Sequence, residues 1–143
     1  MRNDLSTVAP WVLVCILKNP GTNGLITFCY YRDLERAAEF YGEVMGFKLT
    51  RDQGWAKVFE VAENAFIGCV DGNVGYHKPS PTKPVMLTVV VDDPDAWYEH
   101  LRRHGVETLS EPHDNEKLNL RLFLLEDPEG YVIEVQKFHD TTP

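Results

Sequence analysis

From Leu25 to Phe138 the hydrophobic positions follow two different periods, and the points where the period changes divide the chain into elements. Leu25 to Tyr31 is rich in β-branched and aromatic residues and reads as a strand. Leu34, Ala37, Ala38, Tyr41, Val44 and Met45 then recur at helical spacing, the signature of an amphipathic helix. Asp33 is placed to cap that helix, since its side chain can accept from the free N–H groups of the first turn, and Gly46 supplies the stop. Phe47 to Arg51, Trp55 to Val61 and Phe66 to Val70 follow as three strands, separated by Asp52-Gln53-Gly54 and Glu63-Asn64-Ala65. The order is βαβββ.

Asp71 to Lys83 is broken by glycine and proline and reads as a linker, after which the pattern starts again. Val85 to Val91 is a strand, Asp93 is a second cap and Pro94 occupies the first helical position, where proline is best tolerated. Trp97, Leu101 and His104 mark the helix and Gly105 ends it. Val106 to Leu109, Leu118 to Leu125 and Tyr131 to Phe138 complete the unit, the last two strands joined by Asp127-Pro128-Glu129-Gly130, which reads as a four-residue reversing turn. The chain is therefore an internal repeat of a unit of roughly 50 residues. Leu25-Ile26 meets Val85-Met86, Asp33 meets Asp93, Gly46 meets Gly105 and Cys69 meets Glu134. The expected organisation is an N-terminal extension (1–23), one domain over 24–138 made of module 1 (24–70), linker (71–83) and module 2 (84–138), and a tail (139–143).

Composition narrows this picture in a few places. A chain of 143 residues can bury a core without disulfide or metal staples, and 43% hydrophobic with 25% charged residues indicates neither disorder nor a membrane protein. The formal charge of -8 argues against nucleic acid as a partner and favours a neutral or cationic ligand. Cys15, Cys29 and Cys69 are odd in number, widely spaced and without a Cys-x-x-Cys pair, so the expected home is the reducing cytoplasm. The apolar run Val8 to Leu17 is too short to span a bilayer and is read as an extra strand or helix on the domain rather than a signal peptide.

Three stretches carry a resemblance. Arg32-Asp33-Leu34-Glu35-Arg36-Ala37-Ala38-Glu39-Phe40-Tyr41 followed by Met45-Gly46-Phe47, then Asp92-Asp93-Pro94-Asp95-Ala96-Trp97 with Gly105-Val106, then Arg121-Leu122-Phe123 through Asp127-Pro128-Glu129-Gly130 and Ile133-Glu134, resemble the vicinal oxygen chelate superfamily. That superfamily includes glyoxalase I, extradiol dioxygenases and bleomycin-resistance proteins. The resemblance implies an α+β fold in which two tandem βαβββ modules form a curved mixed sheet around a cavity, helices on the outer face, commonly as a homodimer. In metal-dependent members four strand positions carry His or Glu; carried over, they fall on Ile26, Cys69, Met86 and Glu134. Only Glu134 suits a divalent ion such as Zn, Fe, Mn or Ni, and no His lies in any of the eight strands predicted from the sequence, His113 being read as a loop residue, so no metal or other cofactor is expected.

Period-two counting from Glu134 places Ile26, Phe28, Tyr30, Ile67, Cys69, Met86, Thr88, Val90, Val132 and Gln136 on the cavity side. A four-residue turn pairs Glu126 with Tyr131, which sets Phe123 opposite Glu134 and Arg121 opposite Gln136. The candidate ligand-binding set is thus Ile26, Phe28, Tyr30, Cys69, Met86, Thr88, Arg121, Phe123, Glu134 and Gln136, with Glu134 the candidate catalytic residue. Two readings of Glu134 stay open, a ligand contact or general base and a structural partner of Arg121. Cys69 is a buried small hydrophobe or a nucleophile; Phe28 and Tyr30 are core fillers or stacking surfaces. The leading expectation is a cytoplasmic small-molecule-binding protein of the glyoxalase and bleomycin-resistance type without metal. A lyase, isomerase or dioxygenase-like enzyme of the same superfamily and a partner-binding module are the alternatives.

Overall fold

The computed structural model of the chain describes residues 19–140. The readings made for Val8 to Leu17 and for Cys15 lie outside those residues. Among these residues eight strands and two α-helices form two βαβββ modules. Module 1 holds β1 (Leu25–Tyr31), α1 (Leu34–Glu39), β2 (Lys48–Asp52), β3 (Ala56–Ala62) and β4 (Ala65–Asp71). Module 2 holds β5 (Met86–Val90), α2 (Pro94–Arg103), β6 (His113–Asn115), β7 (Leu120–Glu126) and β8 (Val132–Phe138). The sheets have the matching orders β1-β4-β3-β2 and β5-β8-β7-β6, each with one parallel pair, β1 with β4 and β5 with β8. Among the described residues no helix is long and apolar enough to cross a membrane.

Both helix starts follow the sequence logic. Asp33 Oδ1 accepts from Arg36 N–H at 3.0 Å and Asp93 Oδ1 from Ala96 N–H at 3.0 Å, satisfying donors that a helix start leaves free. Gly46 and Gly105 close the helical segments at φ +72° and +75°, a conformation costly for residues with a Cβ. The first helix does not run regularly to Met45, however. After Glu39 it widens into a π-helical turn, Phe40–Val44, closed by Met45 N–H donating to Phe40 O at 2.9 Å. The wider turn brings the consecutive Phe40 and Tyr41 into the core together.

Each sheet has one face against the helices and one open face. On the helix side Cys29, Tyr31, Ile67, Cys69, Phe123, Leu125, Ile133 and Val135 join Leu34, Ala37, Tyr41 and Leu101 in a single core. The module boundary is crossed by a hydrogen-bonded clasp built on the turn after β7. The phenols of Tyr31 and Tyr41 donate to Asp127 Oδ2 at 2.6 and 2.9 Å, while Asp127 Oδ1 accepts from Glu129 N–H and Tyr131 N–H at 2.9 and 3.0 Å. Glu129 accepts from the N–H groups of Arg32 and Asp33 at 2.7 and 2.9 Å, and Tyr131 Oη accepts from Tyr30 N–H at 3.0 Å. A buried Asp is costly unless its oxygens are satisfied, and here both are.

Two strand readings need correction. Val106 to Leu109 is not a strand: Thr108 makes one isolated bridge to Leu125, and the outer strand of this sheet is the polar β6. The β7–β8 connection spans five residues, not four, because the Asp127 side chain organises it and Asp127 N–H closes onto Tyr131 O at 2.9 Å. The pairing is therefore Glu126 with Val132, Leu124 with Glu134, Phe123 with Val135 and Arg121 with Lys137. A one-residue slip moves every side chain of one strand to the other face.

Candidate functional site: the open sheet faces around Glu134

On the open face of module 2, Glu134 lies between Thr88 and Leu124, with Met86 beside Val132 and Val90 beside Gln136. Glu134 is partly buried, and among the described residues no side chain or backbone group donates a hydrogen bond or an ion pair to it. Gln136 is on the same face but covered. On the open face of module 1 the rows are Ile26-Phe66-Glu60, Phe28-Gly68-Val58 and Tyr30-Val70-Ala56. Exposures of 40% for Ile26, 47% for Phe28 and 50% for Met86 show that these apolar strand residues look outward rather than into the helix-side core. A crevice of about 240 Å³ runs between the modules; Met86 and Thr88 line it from one side, Thr27, Phe66 and Ile67 from the other.

Ile26, Phe28, Tyr30, Met86, Thr88, Glu134 and Gln136 are thus placed on open faces. Arg121, Phe123 and Cys69 are not. Phe123 is fully buried on the helix side of β7, tilted edge-on to Tyr98 at 5.5 Å. Arg121 shares that side and grips Asp95 at the start of α2 with two bonds of 2.7 and 2.8 Å, reaching Asp114 at 3.2 Å. The pair raises the Arg121 guanidinium and lowers the Asp95 carboxyl. Arg121 is therefore a tie between helix and sheet, not the partner of Glu134.

Cys69 is fully buried beside Cys29, its direct partner across β1 and β4. Ile67 is on that helix side too. The internal repeat must be read one residue earlier. Ile26 and Met86 stand at matching places before their helix caps, and they pair with Phe66 and Val132; two residues on, Gly68 matches Glu134. A side chain at Gly68 would collide with the ring of Phe28, which lies across the space such a chain would fill. The four corners are consequently Ile26, Gly68, Met86 and Glu134, one carboxylate, one thioether and two positions with no donor. A divalent ion with open coordination sites needs about three protein donors of the imidazole or carboxylate kind. This set does not fit one, and among the described residues no cluster of three His, Cys, Asp or Glu is placed to hold a metal.

Burial sets the chemistry of the two thiols. It is the largest cause pushing Cys29 up to about 11, with Asp127 next, and it pushes Cys69 up as well. Raised thiols are poor nucleophiles, which leaves Cys69 as a core residue. The linkage is with the alkaline side. The unfolded thiol of Cys29 ionises at its ordinary 9.0 and the folded one near 11, so its stabilising contribution is complete below 9.0 and is lost as pH rises through that window. Cys69 and the phenols of Tyr31 and Tyr41, all raised chiefly by burial, act in the same direction. The urea midpoint is expected to hold steady up to pH 9.0 and fall towards 11; a flat midpoint across that window would contradict the assignment.

Two features escape a reading of the sequence. Glu60 stands on the open face opposite Lys48 and beside Phe66. His77 packs edge-on against Tyr30 at 5.2 Å and Tyr76 at 4.9 Å, and the backbone of Gly75 comes close enough to Val70 and Tyr30 that a Cβ there would clash. The loop therefore covers the Tyr30 end of the face, leaving Phe28 as its exposed aromatic surface. Alternation placed Tyr30 correctly but carries no signal for what a loop lays over it.

Two pseudo-equivalent βαβββ modules with their open faces define a recognised class of protein, and sequence comparison agrees. The chain belongs to the Glyoxalase/Bleomycin resistance protein/Dioxygenase superfamily, whose model matches residues 26–135. It is 23% identical to the uncharacterized protein YraH of Bacillus subtilis (strain 168), a match covering 73% of this chain and 90% of that one. Among solved structures it resembles a glyoxalase/bleomycin resistance protein/dioxygenase from Nocardioides, with a TM-score of 0.70 at 23% identity over 93% of this chain and 94% of the other. Lactoylglutathione lyase from Agrobacterium tumefaciens gives 0.66 at 18% identity over 82% of this chain and 95% of its own. TioX from Micromonospora sp. ML1 gives 0.66 at 19% over 82% and 98%. At these identities the structural likeness establishes the fold.

Proposed function

We propose that the chain is a cytoplasmic binding protein for a small organic molecule, working without a divalent metal, with Glu134 meeting a cationic or hydrogen-bond-donating group of the ligand. The observation that carries this reading is a carboxylate with no protein partner among the described residues, set among apolar side chains on an open face. Pockets with an apolar surround and a few polar groups are the usual composition of small-molecule sites. The formal charge of -8 supports a cationic ligand. A homodimer belongs to the same proposal. Among the described residues the outer edges of β1 and β5 have no strand partner and the faces beside them expose Ile26, Phe28, Met86 and Val90, so a second copy has both edges and apolar area to cover.

Elemental analysis of the purified protein tests the metal statement, since a stoichiometric divalent ion would refute it. A thermal-shift screen that includes cationic aromatics tests the binding statement. A ligand at a hundred times its dissociation constant adds about 2.7 kcal/mol to stability. For any ligand so found, Glu134→Gln is expected to weaken binding about 10- to 100-fold, the worth of one charge-assisted hydrogen bond, while the unliganded protein melts as before. Unchanged affinity would remove Glu134 from the site.

A further inference from the structure

On the outside of the molecule, away from the open faces, the start of α1, the end of the inter-module linker and the turn after β7 enclose a cavity of about 440 Å³. Its lining includes Arg32, Arg36, Lys83 and Ser80, with Asp33 and Glu129 as the acids. The two acids are already committed to the backbone. Asp33 accepts from Arg36 N–H, and both oxygens of Glu129 accept from the N–H groups of Arg32 and Asp33. The three cations are not committed in this way. Among the described residues none of them forms an ion pair, and Lys83 instead holds its ammonium 4.8 Å from the centre of the Tyr131 ring. Ser80 Oγ accepts from Thr82 N–H at 3.3 Å, which leaves its own proton to donate. In a chain with 22 acidic and 14 basic residues, three cations converging on one cavity without acid partners is a local reversal of the overall charge.

We propose that this cavity binds a phosphate group, free or as the ester of a small molecule, between Arg32, Arg36 and Lys83. Two guanidinium forks match the planar pairs of phosphate oxygens, an ammonium supplies a point charge, and a hydroxyl supplies a neutral donor. The site is made of side chains, since Glu129 already takes the N–H groups at the start of α1. A volume of about 440 Å³ exceeds what phosphate alone fills and lies in the range of small-molecule sites. Occupation ties the linker, through Ser80 and Lys83, to Arg32 and Arg36 of module 1.

Calorimetric titration of the full chain with inorganic phosphate and with glucose 6-phosphate, in chloride at matched ionic strength, tests the proposal. Saturable binding of either is expected, tighter for the ester if the whole cavity is used and equal if only the phosphate is held. Arg36→Gln and Lys83→Gln should each weaken it by about tenfold or more. Lys83 lies outside every strand and helix, so its variant keeps the fold if Arg36→Gln does not. Glu134→Gln should leave phosphate binding unchanged, which separates this site from the open faces. No saturable heat with either phosphate, or full affinity in the Lys83 variant, would overturn it.

Discussion

Asp127→Ala is expected to lower stability by about 3–5 kcal/mol, the range found when one partner of a buried polar network is removed. Urea denaturation measures it, and for a chain of this length the melting temperature should drop by roughly 10–20 °C. The size follows from how many groups lose their acceptor at once. Two buried phenols and two backbone N–H groups converge on this carboxyl, and alanine offers none of them a replacement. Each stranded donor costs about 1–3 kcal/mol where water cannot reach it. Tyr41→Phe is the internal control: it deletes one donor but leaves Asp127 bonded to Tyr31, and should cost only about 1 kcal/mol. A loss below about 1 kcal/mol for Asp127→Ala would mean the clasp is not what joins the modules.

The second large effect tests which residue matches Glu134. Cys69→Glu puts a carboxyl into a fully buried position beside Cys29, with Tyr31 and Asp127 close by, and should cost about 4 kcal/mol or more, enough to leave the protein unfolded or insoluble. Gly68→Glu points the same group at the open face, where it must displace only the half-exposed ring of Phe28; a loss of about 1–2 kcal/mol is expected. Paired urea melts decide it. If Cys69→Glu were tolerated and Gly68→Glu were not, the register described for β1 and β4 would be reversed.

These two cases also show what the sequence could and could not disclose. The element order, both helix caps and the outward alternation of Ile26, Phe28, Met86, Thr88 and Glu134 were legible because each rests on periodicity or on a capping side chain, both local properties. Register was not, because it depends on atoms that contribute no pattern. Asp-Pro-Glu-Gly carries every mark of a four-residue turn, yet the Asp127 side chain recruits Tyr131 N–H and lengthens the connection by one residue, moving Arg121 and Phe123 off the Glu134 face. At the other strand pair a glycine matches Glu134, and a residue without a side chain announces neither face, so the neighbouring Cys69 drew the alignment. β6 is polar and short, whereas Val106 to Leu109 begins and ends on an apolar residue yet makes a single bridge. One clue was available for the clasp: Tyr31 and Tyr41 both fall on apolar faces, and a buried phenol needs a partner for its hydroxyl.

That partner arrives late. Tyr31 and Tyr41 are made early in synthesis, and the carboxyl that satisfies them is separated from them by 96 and 86 positions along the chain. Without the segment beyond β7, Tyr31 can donate only to the Tyr41 hydroxyl at 3.2 Å, Tyr41 has lost the acceptor Asp127, and the backbone at the start of α1 is without Glu129. Module 1 therefore completes its hydrogen bonding only when the turn at residues 127–131 docks onto it. The stability of module 1 is thus coupled to the turn at residues 127–131, and a chain truncated before that turn is expected to be open to chaperones and proteases rather than to persist as a small stable domain.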